Sequence, residues 1–174
     1  MSLISALANV HHQGQFGDFE DKKGDDLLQI SEKKNLLIVQ IVQFKNSKIP
    51  IESIDIDGLK LKDSSLNVAF NENTRMLWNG PKNWLLVSTK KDLIKKISST
   101  CKETDFAVTD LSHSRAVIEI EGNYVLEVLK KGSPFNFDIL KKNNSINSLY
   151  NNIAFTVDLL NDKPFKVRLF ALRS

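Results

Sequence analysis

The side chains best suited to catalysis by their type lie together in the stretch "DLSHSR", residues 110–115. Aspartate, histidine and serine form the catalytic triad of serine hydrolases when the three side chains converge in space. In an extended strand neighbouring side chains point to opposite faces, so His113 could not reach Ser112 or Ser114 directly. In a turn, Asp110 and Ser112 would instead hydrogen-bond nearby backbone groups. The spacing therefore favours a structural corner between two strands over a catalytic site.

Other residues that could bind a metal or act as a nucleophile lack the partners they need. His11 and His12 have no third ligand at metal spacing, so an exposed pair is predicted. Cys101 ends a helical pattern with no histidine beside it, which predicts a small buried apolar residue. Two acidic pairs in or near polar loops have no visible partner base: Asp25–Asp26 and Asp55–Asp57. The sequence therefore predicts no catalytic, cofactor-binding or metal-binding residue in this chain.

The composition is that of an ordinary globular protein, with 174 residues, 41% hydrophobic and 26% charged. Its net charge of +3 is spread over scattered lysine pairs, whereas a nucleic-acid surface needs basic residues on one face. A single cysteine predicts no disulfide framework and a reducing cytoplasm. No run approaches the roughly 20 apolar residues of a membrane span. The opening "MSLISALANV" has no basic residue before its apolar run, so export is not predicted.

Apolar periodicity predicts the strands and helices that would position these residues. A helix or turn ending at Gly58 is predicted in 53–65, a helix in 88–102 capped by Ser88 or Thr89, and a helix in 123–132. Strands are predicted at 35–44, 67–70, 75–80, 83–88, 106–111, 115–122, 152–160 and 165–172. Short connections favour antiparallel pairing. The predicted class is therefore α+β, with antiparallel sheets and helices packed on one side.

The chain is predicted to consist of two regions. Residues 1–30 would form an N-terminal helix and an extended polar arm. Residues 31–174 would form a single compact α+β domain, with a possible division into sub-domains 31–104 and 105–174.

A contact surface for a partner protein is predicted at two places. Leu3, Ile4 and Leu7 share one face of the short N-terminal helix, and the polar arm separates them from the main core. Trp78 and Trp84 flank the Gly80-Pro81-Lys82 turn inside apolar strands, where core or interface packing is favoured over ligand stacking. We therefore expect partner-interface residues among Leu3, Ile4, Leu7, Trp78 and Trp84.

Three stretches together resemble the gamma subunit of heterotetrameric sarcosine oxidase. "LWNGPKNWLLV" (77–87) is similar to the family's L-W-x-G-P-x-x-W-L-L signature. "VTDLSHSRAVIEIEGNYVLEVLKKGSPFNFD" (108–138) resembles its D-x-S-x-x-R stretch, the strand and helix that follow, and its K-G-C-P-x-D-L segment. "FKVRLFALRS" (165–174) resembles its last strand. The resemblance covers most of residues 53–174 in the family's order.

The sequence departs from the family at a few positions. Ser133 stands where the family has cysteine, which argues against a required thiol there. Phe137 and Ile139 preserve apolar bulk around Asp138. The family continues past Arg-Ser into a C-terminal helix, whereas the printed sequence stops at Ser174.

The resemblance implies a function, and it leaves alternatives open. It implies a non-catalytic gamma subunit, with the folate-binding fold of aminomethyltransferases, in a cytoplasmic complex with alpha, beta and delta subunits. That complex oxidises sarcosine to glycine, passes the one-carbon unit to tetrahydrofolate and forms hydrogen peroxide. FAD, FMN, NAD, tetrahydrofolate and zinc are implied on the partner subunits and none on this chain. The alternatives are a gamma-type subunit of an N-methylglutamate dehydrogenase complex and a stand-alone folate-binding protein.

Overall fold

The computed structural model describes residues 5, 7–10, 12–17 and 27–173. It divides the chain into two compact units. The first unit comprises the described residues up to Lys34, then Ser114–Asn143 and the residues from Asn147 on. The second comprises Asn35–His113 and Asn144–Ile146. The sequence placed the possible division at 104/105, whereas the chain leaves the second unit after His113.

The described elements are mostly strands. The strands are β1 (Gly14–Phe16), β2 (Leu28–Glu32), β3 (Leu37–Gln43), β4 (Asp55–Ile56), β5 (Leu59–Lys60), β6 (Val68–Phe70), β7 (Thr74–Gly80), β8 (Asn83–Ser88), β9 (Phe106–Asp110), β10 (Arg115–Glu121), β11 (Ser145–Tyr150), β12 (Ile153–Asp162) and β13 (Phe165–Leu172). The α-helices are α1 (Leu93–Thr100) and α2 (Val125–Gly132). Short 3₁₀ turns lie at Ile51–Ser53 and Phe137–Ile139.

The second unit is built on a five-stranded antiparallel sheet in the order β6-β7-β8-β3-β9. Alternate residues of β3 and β8, among them Val39, Ile41 and Leu86, enter one buried cluster. Leu93 and Ile97 of α1 and the β4–β5 hairpin join the same cluster. One face of the sheet is therefore covered by a helix and a hairpin, and β3 is paired on both sides as its continuous apolar run predicts.

The first unit contains a six-stranded sheet in the order β1-β2-β10-β13-β12-β11. Its strands β12 and β13 form an antiparallel hairpin, whose turn lies in the sequence "NDKP" (161–164). Helix α2 lies against β13 and buries Val125, Leu126 and Leu129. It ends at Gly132, where a Cβ would lie 2.6 Å from the ring of Tyr150, so a larger residue there would require the Tyr150 side chain to move.

The predicted α+β class, with antiparallel sheets and accompanying helices, is confirmed. Of the helix or turn predicted in 53–65, the turn is confirmed and the helix is wrong, because Asp57 and Gly58, both with positive φ, turn the chain into the β4–β5 hairpin. The predicted cap of α1 at Ser88 or Thr89 is also wrong. Ser88 belongs to β8, and the helix begins after Asp92.

The N-terminal predictions are only partly covered by the described residues. Leu3 and Ile4 lie outside them. Residues 7–10 form turns in which the Ala8 N–H donates to Ser5 O and the Val10 N–H donates to Leu7 O. Within the predicted extended arm, β1 pairs antiparallel with β2. No helix in the described part of the chain is long and apolar enough to cross a membrane.

Candidate functional site

The stretch 110–115 forms a corner held by hydrogen bonds of the Ser112 side chain and of the Leu111 backbone. Asp110 ends β9, residues 112–114 make a turn, and Arg115 begins β10. The Ser112 hydroxyl donates to Asp110 Oδ1 over 2.6 Å and accepts the Ile38 N–H over 3.0 Å. The Leu111 N–H donates to Ile38 O over 2.7 Å. The corner therefore fastens the end of β9 to β3, as the sequence predicts.

The electrostatics of the corner fit the same role. Partial burial raises the pKa of Asp110, but hydrogen bonds from the Ser112 hydroxyl and N–H outweigh it and hold that pKa below its usual value. The carboxylate is therefore ionised at neutral pH, and it accepts hydrogen bonds from the N–H and hydroxyl of Ser112. His113 is exposed. The Ser112 hydroxyl is committed to Asp110 and Ile38.

Cys101 is a core residue. It is 1% exposed and belongs to the buried cluster of the second unit. Burial raises the pKa of the thiol to about 11, so it stays protonated at neutral pH. A protonated buried thiol is a poor nucleophile. The prediction of a small buried apolar residue is confirmed.

The histidine and acidic pairs do not converge on a metal site in the described part of the chain. His12 is exposed, and His11, Asp25 and Asp26 lie outside the described residues. No group of three or more metal-binding side chains occurs among the residues described.

Asp57 belongs to a polar network that the sequence did not reveal. Its Oδ2 accepts the Thr74 hydroxyl over 2.6 Å and Asn71 Nδ2 over 3.2 Å, and its Oδ1 lies 2.8 Å from Lys90 Nζ. The Thr74 hydroxyl in turn lies 2.8 Å from the buried hydroxyl of Ser88. Hydrogen bonds from Lys90 and Thr74 lower the pKa of Asp57 to about 2. The network fastens the β4–β5 turn to β7 and to the end of β8.

Glu119 in β10 is the centre of a second charged network. The residue is 5% exposed, and its Oε1 accepts Arg168 Nη2 over 2.6 Å and Nε over 3.0 Å. Its Oε2 lies 3.1 Å from Lys33 Nζ and 3.8 Å from Lys166 Nζ. Burial raises the pKa of Glu119, but Arg168 and Lys33 outweigh that effect and keep the pKa below its usual value. Only the register of β10 with β13, in which Glu119 lies opposite Arg168, reveals this pairing.

The two tryptophans occupy neighbouring positions on β7 and β8, with Trp78 opposite Trp84. Trp78 Nε1 donates to Asp63 Oδ1 over 2.7 Å, and Trp84 Nε1 donates to Lys62 O over 2.9 Å. Trp84 is 1% exposed, so its side chain cannot contact a partner directly. It could affect an interface only by holding β8 in position. Trp78 is half-buried, and an interface role for it stays a prediction.

Leu7 and Ser133, which the sequence analysis also singled out, make local hydrogen bonds. Leu7 is half-buried, and its N–H donates to the Ser5 hydroxyl. The Ser5 hydroxyl also bonds Glu32 of β2, which places this segment against the first unit. Ser133 shares a 2.7 Å hydrogen bond with the hydroxyl of Ser148.

An open cleft of about 870 Å³ lies in the first unit beside the β12–β13 turn. Its lining combines amides, acids and one lysine: Gln15, Gln29, Glu121, Asn123, Asp162 and Lys163. Glu121 is paired with Lys166 over 2.9 Å. The lining mixes both signs of charge, so it does not define a class of ligand.

These features define a strand-rich α+β protein whose polar clusters hold backbone segments together. No family model and no curated protein matches the sequence. The chain is similar to a chain of heterotetrameric sarcosine oxidase from Corynebacterium sp. U-96, with a TM-score of 0.82, 19% identity, and coverage of 98% of this chain and 87% of that chain. It is also similar to glycine cleavage system aminomethyltransferase T from Bartonella henselae, with a TM-score of 0.61, 9% identity, and coverage of 84% and 42%. The predicted likeness in fold to both proteins is confirmed.

Proposed function

We propose that this chain is the gamma subunit of a heterotetrameric sarcosine oxidase complex. The observation that carries the proposal is the fold similarity, which extends over 98% of this chain and 87% of the sarcosine oxidase chain. The three motifs at 77–87, 108–138 and 165–174 support it independently, because they resemble the gamma subunit in order and spacing.

In this proposal the chain is non-catalytic. Asp110 and Ser112 of "DLSHSR" are engaged in holding β9 to β3, which supports a structural role for these two residues. Its partners are the alpha, beta and delta subunits, which carry FAD, FMN, NAD, tetrahydrofolate and zinc. The complex oxidises sarcosine in the cytoplasm, transfers the one-carbon unit to tetrahydrofolate and releases hydrogen peroxide.

The test is purification of the complex from the native organism through a tag on this chain. We expect flavin-containing partner subunits to co-purify and the preparation to oxidise sarcosine. The chain purified alone is expected to oxidise no amine. Turnover of N-methylglutamate in place of sarcosine would assign the chain to the related dehydrogenase complex. Recovery without any flavin-containing partner would contradict the proposal.

The second candidate is a stand-alone folate-binding protein, and the similarity to aminomethyltransferase T favours it. That similarity spans 42% of the transferase chain. A ligand that binds the folded state raises the melting temperature. Under the main proposal, tetrahydrofolate leaves the melting temperature of the isolated chain unchanged. A rise of several degrees at modest folate concentration would favour the second candidate.

A further inference from the structure

Arg115, the first residue of β10, is a half-buried cation without an acidic partner among the described residues. Its Nη1 donates to the carbonyl and the hydroxyl of Ser114, both at 3.4 Å, near the limit of a hydrogen bond. Burial lowers the pKa of the guanidinium. A guanidinium presents five donors in a planar fork that matches a carboxylate. Arg115 therefore has an unused capacity to bind an anion.

The other cations on this part of the sheet contrast with Arg115. Lys33, Lys166 and Arg168 all surround Glu119, which lies four residues further along β10 on the same face. Arg168 makes two hydrogen bonds to Glu119 at 3.0 Å or less. A partly desolvated charge costs free energy unless it is paired. Among the described residues, the sheet thus supplies an acid for its other half-buried arginine, Arg168, and none for Arg115.

An exposed apolar side chain lies beside this guanidinium. Leu172 of β13 is directly opposite Arg115 in the register, so the two side chains share a face. Leu172 is 58% exposed. The end of the β10–β13 pair therefore presents one cation and one large apolar group next to each other. An arginine beside an apolar residue is the composition of the energetically important centre of many protein interfaces.

We infer that Arg115 and Leu172 form a docking surface for an acidic segment of a partner subunit, in which an Asp or Glu carboxylate binds Arg115 and an adjacent apolar residue covers Leu172. The inference deepens the proposed function and rests on it. Charge complementarity selects this occupant, because a carboxylate supplies the acid that the described part of the chain lacks. The planar pair of oxygens would accept two parallel N–H donors from the guanidinium.

The test compares tagged Arg115→Gln, Arg115→Lys and Lys142→Gln chains in the native organism. Lys142 is an exposed cation of the same unit, so Lys142→Gln makes the same change of charge away from the surface. We expect Arg115→Gln to weaken retention of the flavin-containing subunits at least about 30-fold, as for truncation of one partner of a buried charge pair. Arg115→Lys is expected to keep part of the retention that Arg115→Gln loses, and Lys142→Gln is expected to behave as wild type.

A second measurement separates docking from a structural role. Arg115→Gln removes a partly desolvated charge that has no acidic partner among the described residues, so the melting temperature of the free chain should stay unchanged or rise. A fall of several degrees would overturn the inference by showing that Arg115 supports the fold.

The remaining outcomes have distinct meanings. If the wild-type chain recovers no sarcosine-oxidising partner, the proposed function and the inference both fail. If the wild type recovers the complex and Arg115→Gln recovers it equally well, the inference alone fails. If tetrahydrofolate raises the melting temperature of the wild type and not of Arg115→Gln, the anion is a small ligand and the docking surface is refuted.

Discussion

Ser112 connects two groups of the corner through one hydroxyl. It accepts the Ile38 N–H, donates to Asp110 and belongs to the turn at 112–114. A buried N–H that loses its acceptor costs more than the net contribution of the hydrogen bond itself. The residue that would be the nucleophile in a catalytic interpretation is therefore expected to act on stability.

Ser112→Ala should lower the free energy of unfolding by roughly 1–3 kcal/mol, because Ile38 N–H loses its acceptor and Asp110 loses a donor. Urea denaturation of the isolated chain measures this change. Glu103→Ala, at an exposed site of the same unit, is the control and should stay within about 0.5 kcal/mol. Loss of an acid–base group costs about 10²–10⁴-fold in rate. A loss of that size for His113→Ala in an intact complex would contradict the structural interpretation.

Single residues were predictable where their own type decides their surroundings. Cys101 and the corner at 110–115 are such cases, since a lone cysteine in an apolar pattern is buried and Asp-x-Ser favours turns. Asp57 and Glu119 were not predictable. Their partners are Thr74 and Lys90 in one case and Arg168 in the other, and only strand pairing brings these residues together.

Among the elements, the β4–β5 hairpin depends most on polar contacts. Asp57 lies in its turn and is bonded to Asn71, Thr74 and Lys90. Asp-Gly is a strong signal for a two-residue hairpin turn, and this signal could have identified the hairpin from sequence. β2 and β11, with the sequences "LQISE" and "SINSLY", lack a continuous apolar run, so periodicity did not reveal them.

Asp57→Asn should lower the free energy of unfolding at pH 7 by roughly 1–3 kcal/mol, because charged hydrogen bonds are replaced by neutral ones. The folded-state pKa of about 2 lies below the ordinary value of 3.8. The contribution of the carboxylate is therefore complete above pH about 4 and is lost as the pH falls through about 2.

Urea denaturation of both chains from pH 7 to pH 2 measures this difference. The gap between wild type and Asp57→Asn should close at the acid end. Glu103→Gln, at an exposed site, is the matched control and should show no gap at either pH. A gap that stays constant down to pH 2 would show that the carboxylate charge does not stabilise the hairpin.

At the scale of the whole molecule, the class was predictable and the division of the chain was not. Short connections imply antiparallel strands, and the sheets are antiparallel. The division after His113 follows from β9, which pairs with β3 to complete the five-stranded sheet. Apolar periodicity identifies β9 as a strand but carries no information on its pairing partner, so it could not show that β9 pairs with β3.

Deletion of residues 1–12 tests the role of the N-terminal segment. The Ser5–Glu32 hydrogen bond ties the described part of this segment to the first unit. One such bond to a charged group contributes at most about 1.5–3 kcal/mol, so the melting temperature of the isolated chain should fall by only a few degrees. Retention of partner subunits is expected to weaken if Leu3, Ile4 and Leu7 dock on a partner. A fall of many degrees in the isolated chain, with assembly unaffected, would refute the docking arm.

The pairing of Trp78 with Trp84 has an optical consequence. The chain has two tryptophans, and both lie in the second unit, whereas its two tyrosines, Tyr124 and Tyr150, lie in the first. Light absorbed at the red edge of the protein spectrum therefore excites only the five-stranded sheet. Trp84 is 1% exposed, so its emission should shift to longer wavelength when that sheet opens to water. An unfolding curve recorded by tryptophan fluorescence thus reports on one unit, and circular dichroism is needed to follow the other.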